Sequence, residues 1–281
     1  MKKALSVCAV MFIAYAAFVW KFPEDRPRGQ SQSQQNRIVL ERFLAGESPV
    51  EIVFVGTSLT TKLLVERSQL RDCAYNLAID GGSVLTGLRA IKLSERRPKT
   101  VMVETNFPNR PADEAILRST SSRLLRYAPF LRTENVPVNR ALSYAYRVLH
   151  GDRPPTERPL VEAALKEQQR WLAKTVAPQV LSARTAELVR LVTELEASGT
   201  QVVFYEMPVA PSLTHSAAFE QTRAQMKAAF APNRFIKSME LTGDEPVATT
   251  DGVHLSALTA AAVLNRFPVR CDEAKQARYA I

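Results

Sequence analysis

Four compact runs of β-forming residues, each followed by a turn and a helical pattern, are the feature that most constrains this chain. The runs cover residues 51–55, 75–79, 100–104 and 201–205, and the first reads Glu-Ile-Val-Phe-Val. Helical patterns lie before, between and after them, at residues 37–44, 59–66, 84–95, 185–197, 219–230 and 256–267. Strands that alternate with helices favour a parallel sheet with helices on both faces. The sequence therefore predicts a three-layer α/β fold.

A long middle section, at about residues 108–184, interrupts this alternation and predicts a helical insertion. We interpret its many arginines as solvated helix faces, with recognition of an anionic polymer as the alternative. We expect its apolar and aromatic side chains to form a local core, although a carbohydrate-stacking wall or a dock for a membrane partner would use the same residues. The arginines include Arg118, Arg123, Arg126, Arg132, Arg140 and Arg147, and the apolar set is Leu124, Leu125, Tyr127, Phe130, Tyr144 and Tyr146.

The first 21 residues have the composition of a membrane anchor or a signal. Lys2 and Lys3 precede an apolar stretch that runs to Trp20, slightly short of the roughly 20 residues that a span requires. Ala14-Tyr15-Ala16 resembles a cleavage site but lies inside the apolar run, so we favour an anchor over a cleaved signal peptide. The basic N-terminus would stay cytoplasmic, which predicts a single-pass inner-membrane protein with its domain in the periplasm or outside the cell.

Residues 22–36 show no hydrophobic periodicity and predict a flexible linker, so the folded domain would cover residues 37–281. The formal net charge of +9 favours anionic partners. Nucleic acid is not expected, because the chain has no zinc-finger spacing, no RNA-binding aromatic signature and no long basic run. Of the three cysteines, Cys8 lies in the apolar segment, and we slightly favour separate thiols over a disulfide for Cys73 and Cys271. We predict no metal site and no cofactor.

Several polar residues and glycines follow the predicted strands, where parallel sheets place their ligands. A serine hydroxyl needs a base within hydrogen-bond reach, and that base needs a partner that orients it. We therefore predict a triad of Ser58, His254 and Asp251. The backbone N–H groups of Ser58 and Gly81 and the side-chain amide of Asn106 are the predicted oxyanion donors.

These residues lie in four blocks: Gly-Thr-Ser-Leu at 56–59, Asn-Leu-Ala-Ile-Asp-Gly-Gly at 76–82, Glu-Thr-Asn at 104–106 and Asp-Gly-Val-His at 251–254. Their order resembles the SGNH, or GDSL-type, hydrolase superfamily, which is named after a serine, a glycine, an asparagine and a histidine in four separate blocks. The resemblance covers about residues 51–267, outside the insertion. It implies a flavodoxin-like three-layer fold and acyl transfer or ester hydrolysis.

Three departures from the family pattern point to a divergent, membrane-anchored branch. Thr57 replaces the aspartate of Gly-Asp-Ser, Glu104 stands where a glycine is usual, and Phe107 where an aspartate is common. That branch resembles proteins of cell-envelope polysaccharide O-acetylation. It implies an O-acyltransferase (an O-acetyltransferase) or esterase acting on an envelope polymer or exopolysaccharide, with a possible integral membrane acyltransferase as partner. The alternatives are a carbohydrate or lipid esterase that uses water, and an inactive scaffold of a modification complex.

Three other polar residues compete for a role in the site. His150 lies in the arginine-rich section without an evident acid partner, and we interpret His215 as an exposed loop residue. Glu206 follows the fourth strand, and we expect it to bond backbone or to pair with an arginine rather than to act as a pocket acid.

Overall fold

The computed structural model describes residues 2–22, 29–46, 50–122, 124–151, 160–236, 238–243 and 246–271. The strands are β1 (Ile52–Val55), β2 (Ala74–Asn76), β3 (Thr100–Glu104), β4 (Gln201–Tyr205) and β5 (Phe235–Ile236). The helices are α1 (Lys2–Lys21), α2 (Gln32–Ala45), α3 (Val84–Leu93), α4 (Glu114–Thr120), α5 (Leu124–Tyr127), α6 (Pro137–His150), α7 (Glu162–Leu172), α8 (Pro178–Ala197), α9 (Ala217–Ala229), α10 (Ser238–Thr242) and α11 (Ala257–Arg266). Arg123 lies outside the described residues.

The five strands form one parallel sheet in the order β2-β1-β3-β4-β5. Side chains alternate between its two faces, as the period-2 geometry of a strand requires. In β1, Ile52 and Phe54 join a core cluster with α11, whereas Val53 and Val55 join a second cluster with α2, α3 and α8. Both faces are therefore buried, which confirms the predicted three-layer α/β fold.

Sequence patterns located the central elements but not all of their ends. The predicted helix at 59–66 is instead two 3₁₀ turns, Thr60–Lys62 and Val65–Arg67. The Asn76 amide, on β2, donates to the carbonyl oxygens of Thr60 and Leu63, both at 2.8 Å, and so holds this segment from outside. The two-residue β5 was not predicted, and α8 begins seven residues before the predicted start at Thr185.

The predicted linker already contains part of the folded domain. Helix α2 begins at Gln32, with Ser31 as its N-cap in a capping box with Gln34, rather than at Arg37. Residues 23–28 of that linker lie outside the described residues. The prediction was wrong for residues 32–36 because a run of Ser and Gln lacks the apolar periodicity of a helix, whereas here the polar side chains themselves make the contacts.

A disulfide joins Cys73, at the start of the sheet next to β2, to Cys271, after α11, with the two Cα atoms 5.6 Å apart. The prediction of two separate thiols was therefore wrong, because a sequence separation of 198 hides the proximity that the fold creates. Cys8 is a free, exposed cysteine on α1. Bridges that close long loops stabilise a fold by about 2–4 kcal/mol, mainly by restricting the unfolded chain.

The apolar residues of the insertion do not form the local core that we predicted. Tyr127 and Tyr144 are 78% and 66% exposed, and Leu124 is also exposed. Conversely, Arg132 is buried and donates from Nε to the carbonyl oxygen of Leu125 at 3.0 Å, so it does not belong to a solvated face. Arg126 forms an ion pair with Glu95, so its charge is not solvated by water alone. The insertion thus buries polar groups and exposes apolar ones.

Helix α1 extends from the domain and is almost wholly exposed. From Lys3 to Lys21 it has the length and composition of a single membrane span or of a signal sequence, with a mean hydropathy of 1.8 over its most apolar window. Its second half contacts the insertion near a 3₁₀ turn, Pro129–Leu131. No other helix among the described residues has both the length and the apolar composition of a span.

Candidate active site

The structure brings together the three side chains that the sequence predicted as a triad. His254 Nε2 lies 2.9 Å from Ser58 Oγ, and His254 Nδ1 lies 2.6 Å from Asp251 Oδ2. An ionised carboxylate can only accept a hydrogen bond, so Nδ1 carries the ring proton and Nε2 of the neutral imidazole accepts from the serine hydroxyl. A hydrogen-bonded relay thus runs from Ser58 through His254 to Asp251, at the carboxyl edge of the sheet.

The histidine half of this relay is built by one short turn. Asp251 Oδ1 accepts the backbone N–H groups of Val253 at 3.0 Å and His254 at 2.8 Å. Partial burial of Asp251 is the largest single influence and opposes ionisation, but the hydrogen bonds from the His254 ring and from these N–H groups together outweigh it. They lower the pKa of Asp251 to about 2. The carboxylate is therefore ionised at neutral pH and orients the imidazole.

Glycine is required inside this turn. Gly252 has a φ of +99°, and a Cβ there would lie 2.6 Å from Leu165 Cδ1 and 2.8 Å from Leu213 Cδ1. A side chain would thus meet both backbone strain and the packed core. An antiparallel bridge between Thr249 and Leu255 closes the turn just before α11. The Asp-Gly-Val-His spacing therefore encodes a compact, preorganised acid–base unit.

The serine half is held instead by Glu104, a fully buried carboxylate at the end of β3. Its Oε2 accepts the backbone N–H of Thr57 at 2.8 Å and of Thr60 at 3.3 Å. The hydroxyls of the same two threonines donate to Oε1 at 2.7 Å and to Oε2 at 2.6 Å. Ser58 lies between these two anchored residues. Four donors from one short turn thus converge on one carboxylate behind the serine.

Burial raises the pKa of Glu104, and the hydrogen bonds from Thr60 and Thr57 oppose that rise only in part. The Tyr205 hydroxyl lies 2.6 Å from Thr60 Oγ1 and extends the network into β4. Its pKa is raised well above the ordinary value by burial and by the Glu104 charge. Tyr205 is therefore a neutral donor to Thr60, whose own hydroxyl donates to the carboxylate.

Two of the three departures from the SGNH pattern thus contact each other, since Thr57 and Glu104 form one cluster. A glycine at residue 56 is required by the same cluster, because a Cβ there would lie 2.7 Å from Glu104 Oε2 and closer still to Thr60. The third departure, Phe107, is buried and packs on Trp171 and Phe219, with ring centroids 5.3 and 5.5 Å apart. It ties the end of β3 to the insertion and to α9.

The predicted oxyanion donors each follow a strand, and two are fixed by specific contacts. The Asn106 amide donates to the Met207 carbonyl at 3.0 Å and accepts the Met207 N–H at 2.8 Å. These bonds use one of its two N–H groups and leave the other for a ligand. Within the described residues, the backbone N–H groups of Ser58 and Gly81 have no protein acceptor. Three donors are thus uncommitted on the loops that follow β1, β2 and β3.

The loop that carries Gly81 is held by Asn36 and Gln32, two residues of the predicted linker. The Asn36 amide donates to the Asp80 carbonyl and accepts the Asp80 N–H, both at 2.9 Å. Gly81 has a φ of +68°, and a Cβ there would lie 2.7 Å from Gln32 Nε2. Helix α2 therefore positions the predicted oxyanion glycine. Spacing alone could not reveal this contact, because it joins residues 44 positions apart.

The competing polar residues lie apart from the relay. His215 pairs with Glu220 on the surface, and His150 bonds the Tyr146 carbonyl of its own helix. Glu206 forms a two-point ion pair with Arg223, which agrees with the expected arginine pairing. Among the described residues, no group of three or more His, Cys, Asp and Glu side chains is arranged to hold a metal ion.

No family model matches the chain, and no curated protein matches it. Among solved structures, it is similar to a Streptococcus pneumonia protein provisionally named as a platelet activating factor. The two are 15% identical with a TM-score of 0.43, over 92% of this chain and 96% of that one. A likeness this distant says nothing about substrate or reaction.

Proposed function

We propose that this protein is a membrane-anchored, extracytoplasmic serine acyl-enzyme. It would act as an O-acyltransferase or esterase with Ser58 as nucleophile, His254 as general base and acid, and Asp251 as the group that holds the imidazole tautomer. The observation that carries the proposal is the continuous hydrogen-bonded relay across these three side chains, at 2.9 and 2.6 Å. Such a relay converts a weak hydroxyl nucleophile into one that can attack an ester.

In the first half-reaction, Ser58 Oγ attacks the carbonyl carbon of an acyl ester while its proton moves to His254 Nε2. The carbonyl oxygen becomes an oxyanion, which the N–H groups of Ser58 and Gly81 and the free amide N–H of Asn106 would stabilise. The intermediate then expels the alkoxide, which takes the proton from Nε2, and the acyl group stays on Ser58. An acceptor hydroxyl next gives its proton to His254 and attacks the acyl-enzyme, which restores the free serine.

The acceptor in this proposal is a hydroxyl of an envelope polysaccharide or exopolysaccharide. Support comes from the four sequence blocks, from the apolar helix α1, and from the disulfide, which is typical of an oxidising compartment outside the cytoplasm. An integral membrane acyltransferase as the source of the acyl group belongs to the same proposal and rests on the family resemblance. Hydrolysis is the second candidate, because the side chain of His254 is 25% exposed and water can reach it.

The test is acylation of the purified full-length protein by an activated acetyl ester, followed by mass spectrometry of the Ser58 peptide and by release of the leaving group. We expect the wild type to acquire one acetyl group at this serine. Ser58→Ala should lower the rate at least about 10⁴-fold. Ser182→Ala, an exposed serine on α8, is the matched control and should be unchanged.

Addition of oligosaccharide acceptors then separates transfer from hydrolysis. Faster turnover with an acetylated sugar as product would support the transferase, and acetate release that ignores the sugar would support the esterase. Equal labelling of the wild type and Ser58→Ala, or no labelling of either, would contradict the acyl-enzyme proposal.

A further inference from the structure

Helix α6 is amphipathic in the opposite sense to an ordinary surface helix. Its inward face carries Asn139 and Ser143, which are 7% and 0% exposed. Its outward face carries Val138, Leu142 and Leu149, which are 66%, 46% and 77% exposed. Globular proteins place the apolar stripe of a surface helix against the core. An apolar stripe that faces outward along a helix marks a contact with a partner or with lipid.

Helix α8 of the same protein shows the normal arrangement. It buries Leu188, Leu191 and Leu195 against the sheet and points Arg190 and Glu194 into solvent. The inversion of α6 is therefore a local property of the insertion rather than a general feature of this fold.

Specific hydrogen bonds fix the polar face of α6 inward. Asn139 Nδ2 donates to the Thr133 carbonyl at 2.6 Å, and Asn139 Oδ1 accepts from Gln34 Nε2 at 3.0 Å. Gln30 Nε2 donates to the Asn139 carbonyl at 2.9 Å. Rotating the helix to bury its apolar stripe would break all three bonds. The stripe stays outward because the polar partners of Asn139 lie on α2, in the residues just before α2, and in the turn just before α6.

The segment that carries the exposed stripe also contacts the apolar helix α1. The chain just before α6 and the start of α6 run alongside the second half of α1, with three contacts in register. Arg140 Nη2 donates to the Phe22 carbonyl at 2.8 Å, the Tyr15 hydroxyl donates to the Asn135 carbonyl, and Phe130 packs edge-on against Phe12 at 4.8 Å between ring centroids. The insertion therefore contacts the flank of the helix and not only its end.

The register of these contacts sets a depth. Phe12 and Phe22 are ten residues apart, which is about 15 Å along a helix and about half of a 30 Å hydrocarbon core. If α1 crosses the bilayer, the segment from Phe130 to α6 must lie beside it in one leaflet. The Asn135 carbonyl at this level has the Tyr15 hydroxyl as its donor, as backbone groups at membrane depth require.

We infer that the outward face of α6 is a lipid-binding surface, immersed with the preceding 3₁₀ turn in the outer leaflet beside α1. We name it the α6 lipid face and define it by Val138, Leu142, Tyr144, Val148 and Leu149. Arg140 lies with its guanidinium over the Phe18 ring, 4.9 Å from the centroid, so its charged end can reach lipid headgroups while its stem packs on apolar surface. The inference rests on insertion of α1 and is independent of the acyl chemistry.

Because α2 contacts both α6 and the Gly81 loop, the α6 lipid face also sets how the candidate active site stands relative to the membrane. Gln34 reaches Asn139 on α6, and Asn36, two residues later, holds Asp80.

The test places single spin labels on the full-length chain in nanodiscs that contain anionic lipid. Cysteines are introduced one at a time at Val138, Leu142 and Leu149 in a Cys8→Ser background that keeps the Cys73–Cys271 bridge. Val10→Cys on α1 reports whether the anchor is inserted, and Ala186→Cys on the exposed side of α8 is the water-facing control. Collision rates with oxygen and with a soluble nickel chelate are measured at each site.

We expect all three α6 sites to resemble residue 10, with high oxygen and low nickel accessibility, and residue 186 to show the reverse. Nickel accessibility at α6 equal to that at residue 186, with residue 10 in lipid, would overturn the inference while leaving the anchor intact. Strong dipolar broadening at residue 142 would show a second copy of the chain on this face and would also overturn it. Water exposure at residue 10 would remove its basis altogether.

Discussion

The two halves of the candidate site are constructed by different means. His254 is oriented by Asp251, three residues before it, through a turn that needs only local hydrogen bonds and Gly252. Ser58 is positioned by Glu104, which is 46 residues away and whose four accepted hydrogen bonds anchor the neighbours of the serine rather than the serine itself. The imidazole half is thus a self-contained turn, and the nucleophile half depends on correct pairing of β1 with β3.

The carboxylates of the two halves also differ in their ionisation. Asp251 is partly exposed and its pKa is lowered to about 2, whereas Glu104 is fully buried and its pKa is raised. One carboxylate is therefore stabilised in its charged form by folding, and the other is penalised for being charged. The comparison shows two ways to preorganise a site. A partly exposed carboxylate can be held by hydrogen bonds within its own turn, or a buried carboxylate can be held by a network of donors from another part of the chain.

Asp251→Asn should produce the largest loss of activity, with a smaller loss of stability than Glu104→Ala because only the contribution of the ionised carboxylate is removed. The Asn oxygen can still accept the backbone N–H groups of residues 253 and 254, but its amide nitrogen cannot accept the His254 Nδ1 proton. The wrong imidazole tautomer is then favoured, and kcat should fall about 10⁴-fold. Acylation kinetics and thermal denaturation measure the two effects. Asp72→Asn, at a surface carboxylate, is the control; a similar loss there would contradict the local-turn interpretation.

Substitution of Glu104 should lower stability and activity together. Glu104→Ala leaves two N–H groups and two hydroxyls buried without their acceptor, at about 1–3 kcal/mol for each group left unpaired. We expect the free energy of unfolding to fall by at least about 3 kcal/mol and kcat to fall roughly 10²-fold as Ser58 shifts.

Glu104→Gln is the matched variant for this prediction. Its carbonyl oxygen can accept both backbone N–H groups, and its amide can donate to the Thr57 hydroxyl, which is able to accept. Both losses should therefore be smaller than for Ala. If the Ala and Gln variants are equally active and close to the wild type, then Glu104 does not position the nucleophile.

The pH dependence of stability should separate the two carboxylates by the sign of the slope. Asp251 has a folded-state pKa below its ordinary value, so its stabilisation is present above about pH 4 and is lost as the pH falls towards 2. Glu104 has a raised folded-state pKa, so its contribution is most favourable below its ordinary pKa and is lost as the pH rises through the raised value.

Urea denaturation at a series of pH values from about 2 to about 8 measures how the free energy of unfolding changes with pH for each variant. Relative to Glu104→Gln, the wild type should become less stable as the pH rises. Relative to Asp251→Asn, it should become less stable as the pH falls below about 4. Parallel curves for the wild type and Glu104→Gln would show that the buried carboxyl does not change its protonation in this range.

Asn36→Ala should give the smallest effect, because it loosens a predicted oxyanion loop without removing a donor. Two hydrogen bonds to Asp80 are lost, which should cost about 1–3 kcal/mol of unfolding free energy. The fall in kcat should stay below the roughly 10²-fold loss that removal of one oxyanion donor causes. Gln35→Ala, on the same turn of α2 but bonded to Gln30, is the control. Equal effects of the two would remove the special role of Asn36.

The parts of the fold that sequence patterns could predict are those encoded locally. The runs at 100–104 and 201–205 are strands as predicted, because β-branched residues buried on two faces have a distinctive composition. The Asp-x-x-His spacing likewise marked a turn that is complete within a few residues. Chemical type and order along the chain sufficed for the relay because Ser58 follows a strand, and Asp251 and His254 share one short turn before α11.

What the sequence patterns missed depends on contacts between distant residues. In the sequence, Glu104 is only a departure from a family pattern, since its donors lie at residues 57 and 60 and come together only when the sheet forms. Asn36 falls in the predicted linker because the Ser and Gln run around it has no apolar periodicity, and its partner Asp80 lies 44 residues further along the chain. The outward stripe of α6 gives the same apolar periodicity as an inward one, and only the polar partners on α2 decide which face is buried.

The Cys73–Cys271 bridge has a consequence for the order of events during biosynthesis. Cys73 precedes β2, whereas Cys271 follows α11, so all five strands of the described residues have been translated before the second thiol exists. The bridge can therefore form only after all of these strands have been synthesised. A pulse–chase gel without reductant should accordingly show the shift in mobility only after the chain is complete.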